Sequence, residues 1–167
     1  MDNYYLYKLF PAEGQVDPNA CWAACLRWWM YATRSVLRDQ YDILSLYDCN
    51  DDGTINNKVI KQIINDPQWG MSAEEPVAAG GFTASKLQKM LQYGPVYVGY
   101  TETSTMKKHV NVIYDMETVN GKTRVAVMEP QAVDKGDFTY EGAHQIKSLR
   151  EFSIFGTVYP GTLRRSG

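Results

Sequence analysis

Gln15-Val16-Asp17-Pro18-Asn19-Ala20-Cys21-Trp22-Ala23-Ala24-Cys25 is the stretch on which the reading of this chain turns. Pro18 and Asn19 are helix-start residues, and the run from Ala20 through Thr33, free of Gly and Pro, reads as a helix that continues to Arg38. Cys21 then falls in the first helical turn. Unpaired backbone N–H groups and the positive end of the helix dipole favour thiolate over thiol there. Gln15 precedes it in a loop able to fold back and offer its amide N–H to an oxyanion formed on attack by Cys21. The plain alternative is a small buried cysteine packed under Trp22, with Gln15 in solvent. A base decides between them.

The chain has two histidines. His109 opens Lys107-Lys108-His109-Val110-Asn111-Val112-Ile113-Tyr114, which alternates as a strand does. Gly94-Pro95-Val96-Tyr97-Val98-Gly99-Tyr100 reads as the strand before it. Asn120-Gly121 is a hairpin turn into Thr123–Met128, and Glu129-Pro130 ends that strand. The hairpin returns Glu129 to the His109 end, where a carboxylate holds an imidazole in one tautomer and stabilises its cation. The arm from His109 to the turn is the longer one, so this register needs a bulge or a longer loop. His144, in Gly142-Ala143-His144-Gln145 after a polar loop, is the competing base. A strand-borne group is held more precisely, which favours His109.

Gln-x5-Cys-Trp, Gly-Pro-Val before a strand, His-x-x-x-Ile and an acid-Pro pair after a hairpin together resemble the papain-like cysteine peptidases. The likeness is to compact bacterial forms: AvrRpt2-like and staphopain-like peptidases and the leader-cleaving domains of bacteriocin exporters. The resemblance implies oxyanion glutamine Gln15, nucleophile Cys21, base His109 and, where the family has Asp or Asn, Glu129. The third role is shared as an expectation with Gln131 or a backbone group, because Glu129 is one methylene longer than Asp. The implied function is peptide-bond hydrolysis of a protein or peptide substrate with no cofactor required. Deamidation, transglutaminase-like transfer and peptidoglycan amide cleavage share its first step, and a catalytically inactive papain-like binding module is the rival of another class. Intact Gln15, Cys21 and His109 argue against that module.

Helices first and strands second give an α+β expectation. A mainly helical half, 1–80, carries the nucleophile helix and packs it on an antiparallel sheet in 81–167, within one domain. Trp22, Trp28, Trp29 and Met30 are expected at that contact. A helix over Lys58–Asn65 presents Ile60, Ile63 and Ile64 on one face, and Thr83 caps another through Leu91. Met1–Phe10 reads as a strand, without the basic start and apolar core of a signal peptide.

With 167 residues, 44% of them hydrophobic, and a net charge of −2, the chain suits a single core. It has no extended basic stripe for nucleic acid and no run long enough for a membrane span. Cys21, Cys25 and Cys49, an odd set, suit a reducing compartment, with Cys25–Cys49 pairing left open. The expected location is cytoplasmic, or outside the cell by a non-classical route if the resemblance to effectors and toxins holds. Oligomeric state has no sequence signal.

One motif points elsewhere. Asp48-Cys49-Asn50-Asp51-Asp52-Gly53-Thr54-Ile55-Asn56 has the first half of a calcium loop, with Asp48, Asn50 and Asp52 as candidate ligands. Its twelfth position is Val59 instead of Glu. The expectation is a weak structural calcium site or a simple Asp/Asn/Gly turn.

Overall fold

A computed structural model describes residues 1–14, 16, 20–48, 55–134 and 140–163. Helix α1 spans Asp2–Tyr7, α2 Cys21–Arg34, α3 Gln40–Leu44, α4 Asn57–Asn65 and α5 Ala84–Leu91. Strands β1 (Met71–Ala73), β2 (Val96–Thr101), β3 (Lys108–Val119), β4 (Lys122–Asp134), β5 (Tyr140–Ser148) and β6 (Tyr159–Leu163) form one sheet ordered β1-β6-β2-β3-β4-β5. Every neighbouring pair is antiparallel. The class is α+β, as the sequence order implied. Among the described residues no helix is long and apolar enough to cross a membrane.

Helix α2 lies against one sheet face. Trp22, Trp28 and Trp29 are fully buried with Val110, Val112 and Tyr97. Two polar side chains of this layer are tied to backbone: Trp29 Nε1 donates to the Pro95 carbonyl (2.9 Å) and Tyr97 Oη to the Trp22 carbonyl (3.0 Å). Such bonds fix the helix axially as well as laterally, since an unpaired buried donor costs more than a paired one gains. Helix α4 packs closely enough on β2 that a Cβ at Gly99 would lie 2.7 Å from Ile60 Cδ1. The opposite sheet face is covered by α5 and the 3-10 turn Leu149–Phe152, through Leu87, Met90 and Phe152.

Helix α2 ends four residues short of the expected Arg38. Ser35 takes φ 56°, and the Ser35 and Val36 N–H groups return to the Tyr31 and Met30 carbonyls. Val36 and Leu37 beyond it are exposed, so no apolar face rewards a further turn.

The N-terminal segment is helix α1, not the strand its aromatic content suggested. Tyr4 and Tyr7 stand at helical spacing and pack on Tyr114, with Tyr7 also against Trp28. The Tyr4 N–H donates to Asp115 Oδ2 (3.2 Å), so a β3 carboxylate satisfies a first-turn donor. The aromatics are tertiary anchors, which strand propensity alone does not distinguish.

Candidate active site

Cys21 is the first residue of α2, after Ala20, and is 5% exposed. His109 is the second residue of β3 and Glu129 sits on β4. Asn120 (φ 53°) and Gly121 (φ 74°) form the turn between these strands, whose primed conformation matches strand twist. Below the turn, Asp115 pairs with Ala126 but Ile113 pairs with Val127, a bulge of one residue. Without it Glu129 would come level with Val112, on the α2 face of the sheet. With it, the register continues from Val112–Met128 so that Glu129 comes level with Asn111, on the same face as His109.

Across that face His109 Nε2 meets Glu129 Oε2 at 2.7 Å. Nδ1 is left for Cys21, whose side chain hydrogen-bonds the ring. Burial works to lower the His109 pKa, but the charge and hydrogen bond of Cys21, and then those of Glu129, outweigh it and push it up to about 10. For Glu129, burial works upward, while the bond and charge of His109 and then Lys147 bring it down to about 2. The geometry therefore favours an imidazolium against the Glu129 carboxylate.

Glu129 is held on both oxygens. Oε2 also accepts the Gln131 backbone N–H (3.0 Å), and Oε1 accepts Lys147 Nζ (2.7 Å). Lys147 donates further to Asn111 Oδ1 (2.9 Å), which also accepts from Tyr100 Oη (3.3 Å). Tyr100, paired directly with His109 across β2 and β3, sets its ring edge-on to the imidazole at 5.8 Å. Gln131 thus contributes its backbone to Glu129 while its side chain is exposed. Lys147, Asn111 and Tyr100 carried no sequence signal. Strand parity places Asn111 beside Glu129, but only once the bulge is known.

Cys25, one turn along α2, is fully buried, and its Sγ donates to the Val110 carbonyl at 3.2 Å. Burial, with Cys21 and Glu129 nearby, pushes its thiol well up. Cys25 is a free thiol. His144 lies elsewhere: Nε2 donates to the Phe10 carbonyl (3.1 Å), Nδ1 accepts from Tyr114 Oη (2.9 Å), and the ring packs on Trp28.

Gln15, Cys49, Asn50 and Asp52 lie outside the described residues; of the calcium-loop candidates only Asp48 lies within them. Glu13, Gly14 and Val16 are held by Gln40, a buried residue at the start of α3. Its Nε2 donates to the Gly14 carbonyl (2.8 Å) and Glu13 Oε1 (2.7 Å), and its Oε1 accepts the Val16 N–H (3.2 Å). Asp39 as an N-cap before Ile43 and Leu44 was the available signal for α3.

A polar cleft of about 480 Å³ opens beside the Glu129 side of the imidazole, lined by Tyr100, Glu102, Glu129, Gln131, Lys147 and Glu151 among others. Glu102, His109 and Glu129 are close enough to offer one ligand atom each to a cation. Binding one through Nε2 and Oε2 would sacrifice the His109–Glu129 bond.

The family model described as "Papain-like cysteine protease AvrRpt2" matches residues 7–141. No curated protein matches the chain by sequence. A solved structure from work on the mite allergens Blo t 1 and Der p 1 superposes with a TM-score of 0.53 at 14% identity, covering 93% of this chain and 68% of that one. Bromelain from Ananas comosus with the E64 inhibitor gives 0.49 at 14% identity, over 96% and 97%. With its family model covering most of the chain, and a papain-like arrangement of helix and sheet beneath it, this protein belongs to the AvrRpt2 family of papain-like cysteine proteases, hydrolases that act on peptides.

Proposed function

We propose that the chain hydrolyses peptide bonds through Cys21, His109, Glu129 and Gln15. The observation that carries this is the His109 imidazole held between Glu129 Oε2 at 2.7 Å and the Cys21 side chain at the start of α2. Cys21 thiolate adds to the substrate carbonyl carbon. The oxyanion is held by the Gln15 amide and a backbone N–H of the first helical turn. The His109 imidazolium gives its Nδ1 proton to the leaving amine, and the C–N bond breaks to leave a thioester. His109, now neutral, takes a proton from water; the hydroxide adds to the thioester, and the thiolate leaves with the carboxylic acid product. Glu129 keeps Nε2–H in place throughout and stabilises the cation.

Membership of the AvrRpt2 family supports action as an effector or toxin. Calcium, if bound through Asp48, Asn50 and Asp52, is assigned a structural role only. The test is mass spectrometry of a lysate proteome exposed to the protein and to Cys21→Ala. New N-termini that require Cys21 are expected. A gain of about one dalton on glutamine without new termini makes it a deamidase. No Cys21-dependent change leaves the binding-module reading.

A further inference from the structure

Glu102 follows β2 and stands over the catalytic imidazole without belonging to the expected triad. Its Oε2 lies 3.8 Å from His109 Nε2, the same nitrogen that Glu129 bonds at 2.7 Å. The distance is too long for a hydrogen bond, so whatever Glu102 does there it does by charge. The carboxylate is not a wandering surface acid. Its Oε1 accepts from Ser104 Oγ (3.0 Å) and Thr105 Oγ1 (3.1 Å), which leaves Oε2 turned to the ring. The loop closes on Glu102 itself: its N–H donates to the Lys107 carbonyl (2.9 Å) and its carbonyl accepts the Met106 N–H (2.8 Å). Met106 is held at φ 58°, a backbone region that side chains adopt reluctantly, and it is exposed, so packing does not explain the conformation.

The charges explain why a second carboxylate matters. Around His109 stand Cys21 from α2, Glu129 from β4 and Glu102 from the loop, with the uncharged Tyr100 and Asn111 beside them. Lys147 from β5 sits on the far oxygen of Glu129, so that carboxylate is shared between two cations. Among the described residues Glu102 has no such cationic partner other than His109 itself. We propose that Glu102 is a positioning residue that holds His109 as the cation by its charge, complementing Glu129, which fixes ring orientation by hydrogen bond. The inference rests on the Cys21–His109 reading above.

The test exploits the presence of only two histidines, so ¹⁵N-labelled imidazole resonances report each one directly in the intact protein. Glu102→Gln keeps the loop's shape and removes the charge. The His109 midpoint is expected to fall by about one pH unit, the lower part of the range for an opposite charge at this distance because Glu102 is partly exposed. The His144 midpoint should stay in place. Ser104→Ala with Thr105→Ala, which frees the carboxylate, should give a smaller fall in the same direction. The alkaline limb of peptide hydrolysis should move down with the His109 midpoint, a change that a merely structural role would not produce. An unmoved His109 midpoint in folded Glu102→Gln overturns the proposal, as does an equal shift of both histidines. Cys21→Ala separates this from the function itself. A His109 midpoint indifferent to Cys21→Ala sinks the catalytic pair, whereas one that responds to Cys21→Ala and not to Glu102→Gln sinks only Glu102.

Discussion

The two histidines lie in the same sheet and meet opposite electrostatics. His109 stands between a thiol and two carboxylates, and Cys21 and then Glu129 overcome burial to push its pKa up to about 10. His144 lies between a carbonyl, a phenol and an indole ring, and burial lowers its pKa, helped by the Lys8 charge. A carbonyl only accepts, so Phe10 fixes the His144 proton on Nε2, while burial favours the neutral ring. One site is built for an imidazolium, the other for an imidazole. Burial alone therefore says little about what a histidine does; the charge of its partners decides.

The strongest way to break this contrast is substitution of each ring. His109→Ala is expected to cut kcat/KM by about 10²–10⁴-fold, and His144→Ala to leave it within a few-fold while loosening the N-terminal segment that it ties through Phe10. The reverse ranking in peptide hydrolysis would move the base to His144. Next in size is the contrast between thiols. Iodoacetamide should label Cys21 well ahead of Cys25, whose buried thiol is engaged with the Val110 carbonyl. Equal labelling in the folded protein, read by peptide mass mapping, would remove Cys21 from its assigned role.

Glu129→Ala is expected to lower kcat/KM by about 10–100-fold, less than His109→Ala, because an orienting group takes no part in bond making. Full activity there, with loss in Gln131→Ala, would transfer the third role to Gln131.

The same contrast appears in stability against pH. His109, raised in the folded state, contributes stability fully present below its unfolded value of 6.5 and lost as pH rises through about 10. Glu129, depressed, contributes stability present above 4.5 and lost as pH falls through about 2. His144, also depressed, adds stability above 6.5 that declines as the pH falls below it. Melting temperature should therefore decline on both sides of neutral pH. His144→Gln should flatten the part just below 6.5, and a profile unchanged by that substitution would deny His144 its neutral clasp.

The smallest expected effect is that of calcium. At ten times Kd it would add about 1.4 kcal/mol, or about 3–6 °C in a chain of this size, with turnover unaffected. Thermal unfolding in millimolar calcium against chelator, repeated on Asp52→Ala, measures it. A shift that survives Asp52→Ala places the ion elsewhere.

Local patterns by themselves determined the start of the Cys21 helix, the Thr83 cap, the Asn120-Gly121 turn and the succession of helices before strands. Each depends on residues within a few positions, where propensity and capping act. The pairing of His109 with Glu129 was legible as a direction only, since the unequal hairpin arms demanded an irregularity without saying where. Tertiary structure supplied the bulge between Ile113 and Asp115 that turns Glu129 to the His109 face. It also brought Lys147, Asn111, Tyr100 and Glu102 to one network from three strands and a loop. The N-terminal aromatics were misread for the same reason, because their partners Tyr114, Trp28 and Asp115 lie far along the chain. A side chain's chemistry is written in its own residue, but its charge state and aim are set by neighbours whose proximity depends on strand register, and register is a property of the assembled sheet.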